Sequence, residues 1–139
     1  MTATLRIVGA LLTLAALPAW AADFTVVNSG STAYVINAVN NPQLTLERGR
    51  TYTFAVTASG HPFWIKTAPV TGTGSAFDTG VTNNGTQSGT LTFVVPVAAP
   101  NTLFYNCQFH GSMSNQIHII DPVAVAPGSW SGVKALFRD

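Results

Sequence analysis

Between residues 24 and 120, apolar and polar side chains alternate in short runs separated by Gly, Pro and Asn. In Leu44-Thr45-Leu46 and across Tyr52, Phe54 and Val56 the apolar positions recur every second residue, the period of a strand with one buried face. Runs rich in β-branched and aromatic residues predict strands over 24–28, 33–39, 43–46, 52–58, 62–66, 90–95, 102–107 and 116–120. The connections carry turn chemistry: Gly30, Asn40-Asn41-Pro42, Arg48-Gly49-Arg50, Asn84-Gly85 and Pro100-Asn101. No helical stripe interrupts this middle region. The expected fold is therefore all-β, a β-sandwich of about eight strands in two facing sheets. The stretch 67–89 is rich in Thr, Gly, Ser and Asn and long for a connection. It reads as an excursion over the sandwich, anchored by Val70, Phe77 and Val81.

Both ends differ from the middle. Residues 1–21 have one charge, Arg6, then an apolar run over 7–17 and the small-residue sequence Pro18-Ala19-Trp20-Ala21. This is the pattern of a cleaved secretory signal peptide. As a helix the run would span about 16 Å, against a hydrocarbon core of about 30 Å, so it is too short for a membrane anchor. Domain organisation is read as a signal over 1–21, a folded domain over 22–120 and a tail over 121–139. In the tail Trp130, Val133 and Phe137 share one helical face, fitting either a short packed helix or a docking segment.

Composition narrows the function. The chain has 139 residues, 8% of them charged, and a formal net charge of +1. Once the signal is removed, five basic and five acidic residues remain, Asp23, Glu47, Asp78, Asp121 and Asp139 against Arg48, Arg50, Lys66, Lys134 and Arg138. No basic cluster exists to neutralise phosphates, so no nucleic-acid partner is expected. The expected location is periplasmic or secreted, with no membrane span after signal cleavage. A small exported protein ordinarily pairs its cysteines, yet Cys107 is alone. It is either a buried hydrophobe, half of an intermolecular disulfide, or a thiolate kept for chemistry or metal.

Spacing favours metal. Cys107-Gln108-Phe109-His110-Gly111-Ser112-Met113 places Cys, His and Met at C-x2-H-x2-M on the turn between two predicted strands. His61, in Ser59-Gly60-His61-Pro62-Phe63-Trp64, heads another strand. One thiolate, two imidazoles and one thioether suit copper: two His and one Cys near a trigonal plane, with a weak axial Met, hold both Cu(I) and Cu(II). A Cys–His nucleophilic pair would lack an orienting third group and leave Met113 without a role. Zinc prefers harder or thiolate fourth ligands. A binuclear copper centre would need a second cysteine. His118, between Ile117 and Ile119, points outward if both isoleucines point inward, and so reads as a solvated histidine.

These two segments resemble the cupredoxins, small type 1 copper proteins. The resemblance runs from about residue 43 to 120. It rests on Leu44-Thr45-Leu46-Glu47-Arg48-Gly49-Arg50-Thr51-Tyr52-Thr53-Phe54, similar to the strand–turn–strand before the first copper histidine, and on the block Tyr105 to Met113. Its loop spacing is most similar to that of amicyanin-type members. The resemblance implies a Greek-key sandwich with the metal at one end. It implies His61, Cys107 and His110 as equatorial ligands and Met113 as the axial one. It also implies a one-electron carrier, probed by partners through the exposed edge of His110, with Phe109, Phe63 and Trp64 in the surrounding patch or packing. Redox proteins as donor and acceptor, a monomeric state and no substrate turnover follow from it. A copper-delivery protein uses the same donors; such proteins often multiply Met and His, which this chain does not.

Two positions depart from the family pattern. Pro62 stands where most members have Asn, whose N–H bonds the copper thiolate, and proline has no N–H to give. Asn115 stands where many have Gly, a mild change because Asn tolerates left-handed backbone. Losing a hydrogen bond to the sulfur favours Cu(II). A redox titration should therefore find Pro62→Asn higher in potential than the wild type, by roughly 60 mV, the shift of a tenfold change for a one-electron couple.

Overall fold

The computed structural model describes residues 21–123 as ten strands with no helix among them. The strands are β1 (Phe24–Ser29), β2 (Ala33–Ile36), β3 (Val39–Asn40), β4 (Leu44–Glu47), β5 (Thr51–Thr57), β6 (Phe63–Lys66), β7 (Val81–Thr82), β8 (Ser88–Val94), β9 (Thr102–Cys107) and β10 (Ser114–Ile120). One sheet has the order β3-β2-β1-β5-β8-β7 and the other β4-β10-β9-β6. The pairings β1–β5 and β4–β10 are parallel and the rest antiparallel, so both sheets are mixed. The signal reading up to residue 20 and the helical-face reading of the tail from residue 124 lie outside the described residues.

The predicted alternation is what makes the core. Val26, Tyr34, Ile36, Phe54, Val56, Leu91 and Phe93 from the first sheet meet Leu44, Leu46, Phe63, Ile65, Leu103, Tyr105, Ile117 and Ile119 from the second, all buried. Phe63 is central at one end. It meets Tyr34 edge-on at 5.0 Å between centroids, stacks on Tyr105 at 5.5 Å and lies 5.6 Å from Phe54. Such pairs add to the burial of their large apolar area. The opposite end is closed by Arg48, which bonds the Ala99 carbonyl at 2.9 Å, Asn101 at 2.6 Å and Asp121 at 3.0 Å.

All eight expected strands are present, and two short ones are added. The expected run 33–39 divides because Asn37 and Ala38 take positive φ, 47° and 69°, turning the chain into β3. The excursion 67–89 holds β7 and the first residues of β8, and its main work is to cover the free edge of β6. Phe77 N–H donates to the Ile65 carbonyl at 2.9 Å, Gly85 N–H to the Phe63 carbonyl at 2.9 Å, and Phe63 N–H to the Thr86 carbonyl at 3.0 Å. Asn84 Oδ1 accepts the Ile65 N–H at 2.8 Å while its Nδ2 returns to the Ile65 carbonyl at 3.2 Å, standing in for a ladder partner. An open edge is thereby satisfied without another strand. Trp64 lies flat against Gly85, where a Cβ would fall 2.3 Å from its ring and φ is +81°. Phe77 and Val81 pack on the core as expected, but the Val70 side chain is 50% exposed and does not anchor the excursion.

Candidate metal centre

Register brings the distant residues together. Phe63 pairs with Cys107 in β6–β9, so His61, two residues before Phe63, reaches the same end of the sandwich as the β9–β10 turn. That turn is closed at its foot by Cys107 N–H donating to the Met113 carbonyl at 2.9 Å, and inside it Met113 N–H donates to the His110 carbonyl at 3.2 Å. Cys107 and Met113 have no exposed surface; His61 and His110 are half-buried.

The three donor atoms converge. His61 Nδ1 lies 3.2 Å from His110 Nδ1, and Cys107 Sγ lies 3.8 Å and 3.5 Å from these two nitrogens. The circumcentre of a triangle with those sides is about 2.0 Å from each corner, the range in which imidazole nitrogen and thiolate bind a first-row ion, ~2.0–2.3 Å. Two imidazole nitrogens and a cysteine sulfur directed at one point, with a thioether residue buried at the foot of the same loop, fit copper. His118, by contrast, is exposed on β10, pairs with Thr45 and Thr102, and takes no part.

The backbone around the donors is held from several sides. Cys107 Sγ accepts a backbone N–H from Phe109 at 3.5 Å, and Pro62 offers none. Main chain links the segment of His61 to that of Cys107: Gln108 N–H donates to the Pro62 carbonyl at 3.1 Å. Tyr34 adds a second brace, its hydroxyl lying 2.9 Å from the His61 carbonyl and 3.0 Å from that of Pro62. Burial, and then the neighbouring Cys107, push the Tyr34 hydroxyl well above the usual tyrosine pKa, so it stays a donor. Asn106 Nδ2 donates to the Cys107 carbonyl at 2.7 Å, and Asn41 Nδ2 to the Ser112 carbonyl at 2.9 Å. Carbonyls fixed in this way, on the candidate donors His61 and Cys107 and on chain neighbours of the donors, hold the rings and the sulfur in orientation.

The aromatic residues near the site divide. Phe109 is 59% exposed beside His110, Phe63 belongs to the core, and Trp64 is half-buried with its indole N–H donating to Gln108 Oε1 at 3.3 Å. Tyr34, Asn41, Lys66 and Asn106 escaped the sequence reading. Lys66 alone left a signal there, a charge ending the apolar run Phe63-Trp64-Ile65 in a chain with few charges.

The fold is similar to that of rusticyanin. A methionine-to-glutamine mutant of rusticyanin matches with a TM-score of 0.51 at 20% identity, covering 70% of this chain and 76% of that one. Serine-to-aspartate and methionine-to-leucine rusticyanin matches at 0.50 with 21% identity, over 70% of this chain and 75% of that one. A purple cupredoxin from Nitrosopumilus maritimus aligns with a TM-score of 0.42 at 15% identity, over 70% of this chain and 100% of that one. No protein-family model and no curated protein sequence matches the chain. At these identities the likeness establishes a cupredoxin-like β-sandwich.

Proposed function

We propose that this chain is an exported type 1 copper protein that carries single electrons between redox partners. The observation that carries the reading is the triangle of Cys107 Sγ, His61 Nδ1 and His110 Nδ1, with edges of 3.2 to 3.8 Å around one point. Copper held there would supply the Cu(I)/Cu(II) couple.

The protein's part is to keep that point rigid. Cys107 ends β9 and pairs with Phe63, the first residue of β6, and His61 stands two residues before Phe63, so sheet pairing places both. Met113, at the foot of the loop, is the expected axial donor, weak enough to tune rather than dictate the potential. Sites that do not rearrange between oxidation states exchange electrons with little reorganisation. His110 sits beside exposed Phe109, so a partner docking on this apolar spot approaches the histidine ring edge. A donor set of two imidazoles, one cysteine sulfur and one thioether suits a one-electron copper couple, which supports a carrier rather than a substrate-converting enzyme. The N-terminal signal pattern supports a periplasmic or secreted location. The near-balanced charge supports apolar docking, and the resemblance to the cupredoxins supports a monomer.

Copper addition tests the reading. Purified protein freed of metal should take up one Cu(II) per chain, develop an intense visible thiolate-to-copper band and give the narrow hyperfine splitting of a type 1 site in EPR. Slow copper release with fast electron self-exchange identifies a carrier. Ready transfer of Cu(I) to an apo partner identifies delivery instead, and a colourless complex would refute the centre altogether.

A further inference from the structure

Lys66 has no exposed surface, unlike the arginines of the described residues, and neither ion pair among those residues includes it. Placing an ammonium there is unfavourable, and an apolar side chain of similar length would fill the space without that penalty. The β6 alternation explains where it points. Phe63 and Ile65 face the core, so Trp64 and Lys66 lie on the outer face of the sheet, beneath the start of the excursion. Lys66 Nζ donates to the carbonyls of Val70 and, at 2.8 Å, Gly72. Gly72 in turn donates its N–H to the Gln108 carbonyl at 2.7 Å, and Gln108 lies between Cys107 and His110. Thr71 comes within van der Waals distance of a Cβ built at Gly111, on the other side of His110.

A continuous path therefore runs from the buried amine through the 70–72 turn to the ligand loop. We propose that Lys66 is a positioning residue of the metal centre: it clamps the 70–72 turn onto the His110 loop and keeps a positive charge beneath it that favours the reduced site. The proposal rests on the copper-carrier reading for the second effect only. The clamp itself is a property of the polypeptide. Fixed positive charge in a poorly solvated region acts strongly on a nearby ion, and loss of it should stabilise the more positive, oxidised state.

Amide hydrogen exchange of the metal-free protein measures the clamp. Although Gly72 is exposed, its amide should exchange as slowly as strand amides of β9, and in Lys66→Met at least tenfold faster, with β5 and β8 unchanged. The copper-loaded Lys66→Met protein should show a lower midpoint potential than wild type. Should that variant not fold, Lys66→Gln carries the same two measurements. A wild-type Gly72 amide exchanging as fast as an unprotected loop amide, or unchanged Gly72 exchange in the variant, overturns the clamp. An unchanged potential overturns the charge. A normal blue site with an unprotected Gly72 amide would sink the clamp and leave the carrier reading standing; failure to bind copper with Gly72 protected would overturn the carrier reading and the charge effect with it, and leave the clamp standing.

Discussion

Cys107→Ser should remove the intense visible band completely while leaving the sandwich folded. The band requires a sulfur lone pair donating into copper. A serine hydroxyl is a hard donor that stays protonated near neutral pH, so neither the charge transfer nor the soft-ligand preference for copper survives. The substitution also shortens one corner of a triangle whose edges are only 3.2 to 3.8 Å. The fold loses little. Cys107 is buried in the core, where a hydroxyl costs about 1–3 kcal/mol if unpartnered, and the Phe109 N–H already directed at Sγ offers a partner. Absorption and EPR spectra after adding one equivalent of Cu(II), with a thermal melt of the metal-free variant, check both halves. A retained band would place the chromophore elsewhere and end the proposal; a melt showing an unfolded chain would mean that Cys107 serves packing first.

The sequence and the structure agree where a signal is local and periodic. The alternation in Leu44-Thr45-Leu46 and in Tyr52, Phe54 and Val56 marks the same inner faces that pack together. The two ligand segments were legible because a strand-end Cys, a loop His and a following Met lie within seven residues, and a turn that short leaves few ways to place them. Pairing of Phe63 with Cys107, which delivers His61, is a long-range register that periodicity does not specify. β3 and β7 are two residues each and carry no pattern to read. Ala38 at φ 69° is a conformation that its side chain gives no reason to expect. Val70 reads as an anchor in the sequence because it is apolar, but the turn is held through its carbonyl, leaving the residue half exposed. Lys66 shows the same limit: in the sequence it is only a charge closing a strand, and the fold-back of the excursion over the outer face is what buries it.

The largest stability effect should come from Phe63→Ala, and it should reach the metal centre. Phe63 has no exposed surface and meets Tyr34, Phe54 and Tyr105, so truncation leaves a cavity walled by rigid aromatic rings that cannot collapse into it. Removal of a buried phenylalanine costs about 3–5 kcal/mol, which for a domain of roughly 100 residues lowers Tm by at least about 12 °C. Tyr34 would lose its edge-on neighbour, and its hydroxyl is the brace on the His61 and Pro62 carbonyls. Looser placement of His61 weakens copper binding, and because bound metal stabilises the native state by RT ln(1 + [L]/Kd), the copper-loaded variant should also gain less from copper than wild type does. Calorimetry of both proteins with and without copper separates the two contributions. The metal-free difference measures the cavity, and the further difference on loading measures the lost brace. Phe63→Leu, which refills part of the space, should recover more of the first than of the second, because a leucine offers Tyr34 no aromatic edge. A metal-free Tm within about 4 °C of wild type, less than 1 kcal/mol, would mean that this end of the core repacks freely and that Tyr34 does not depend on Phe63 to hold the histidine.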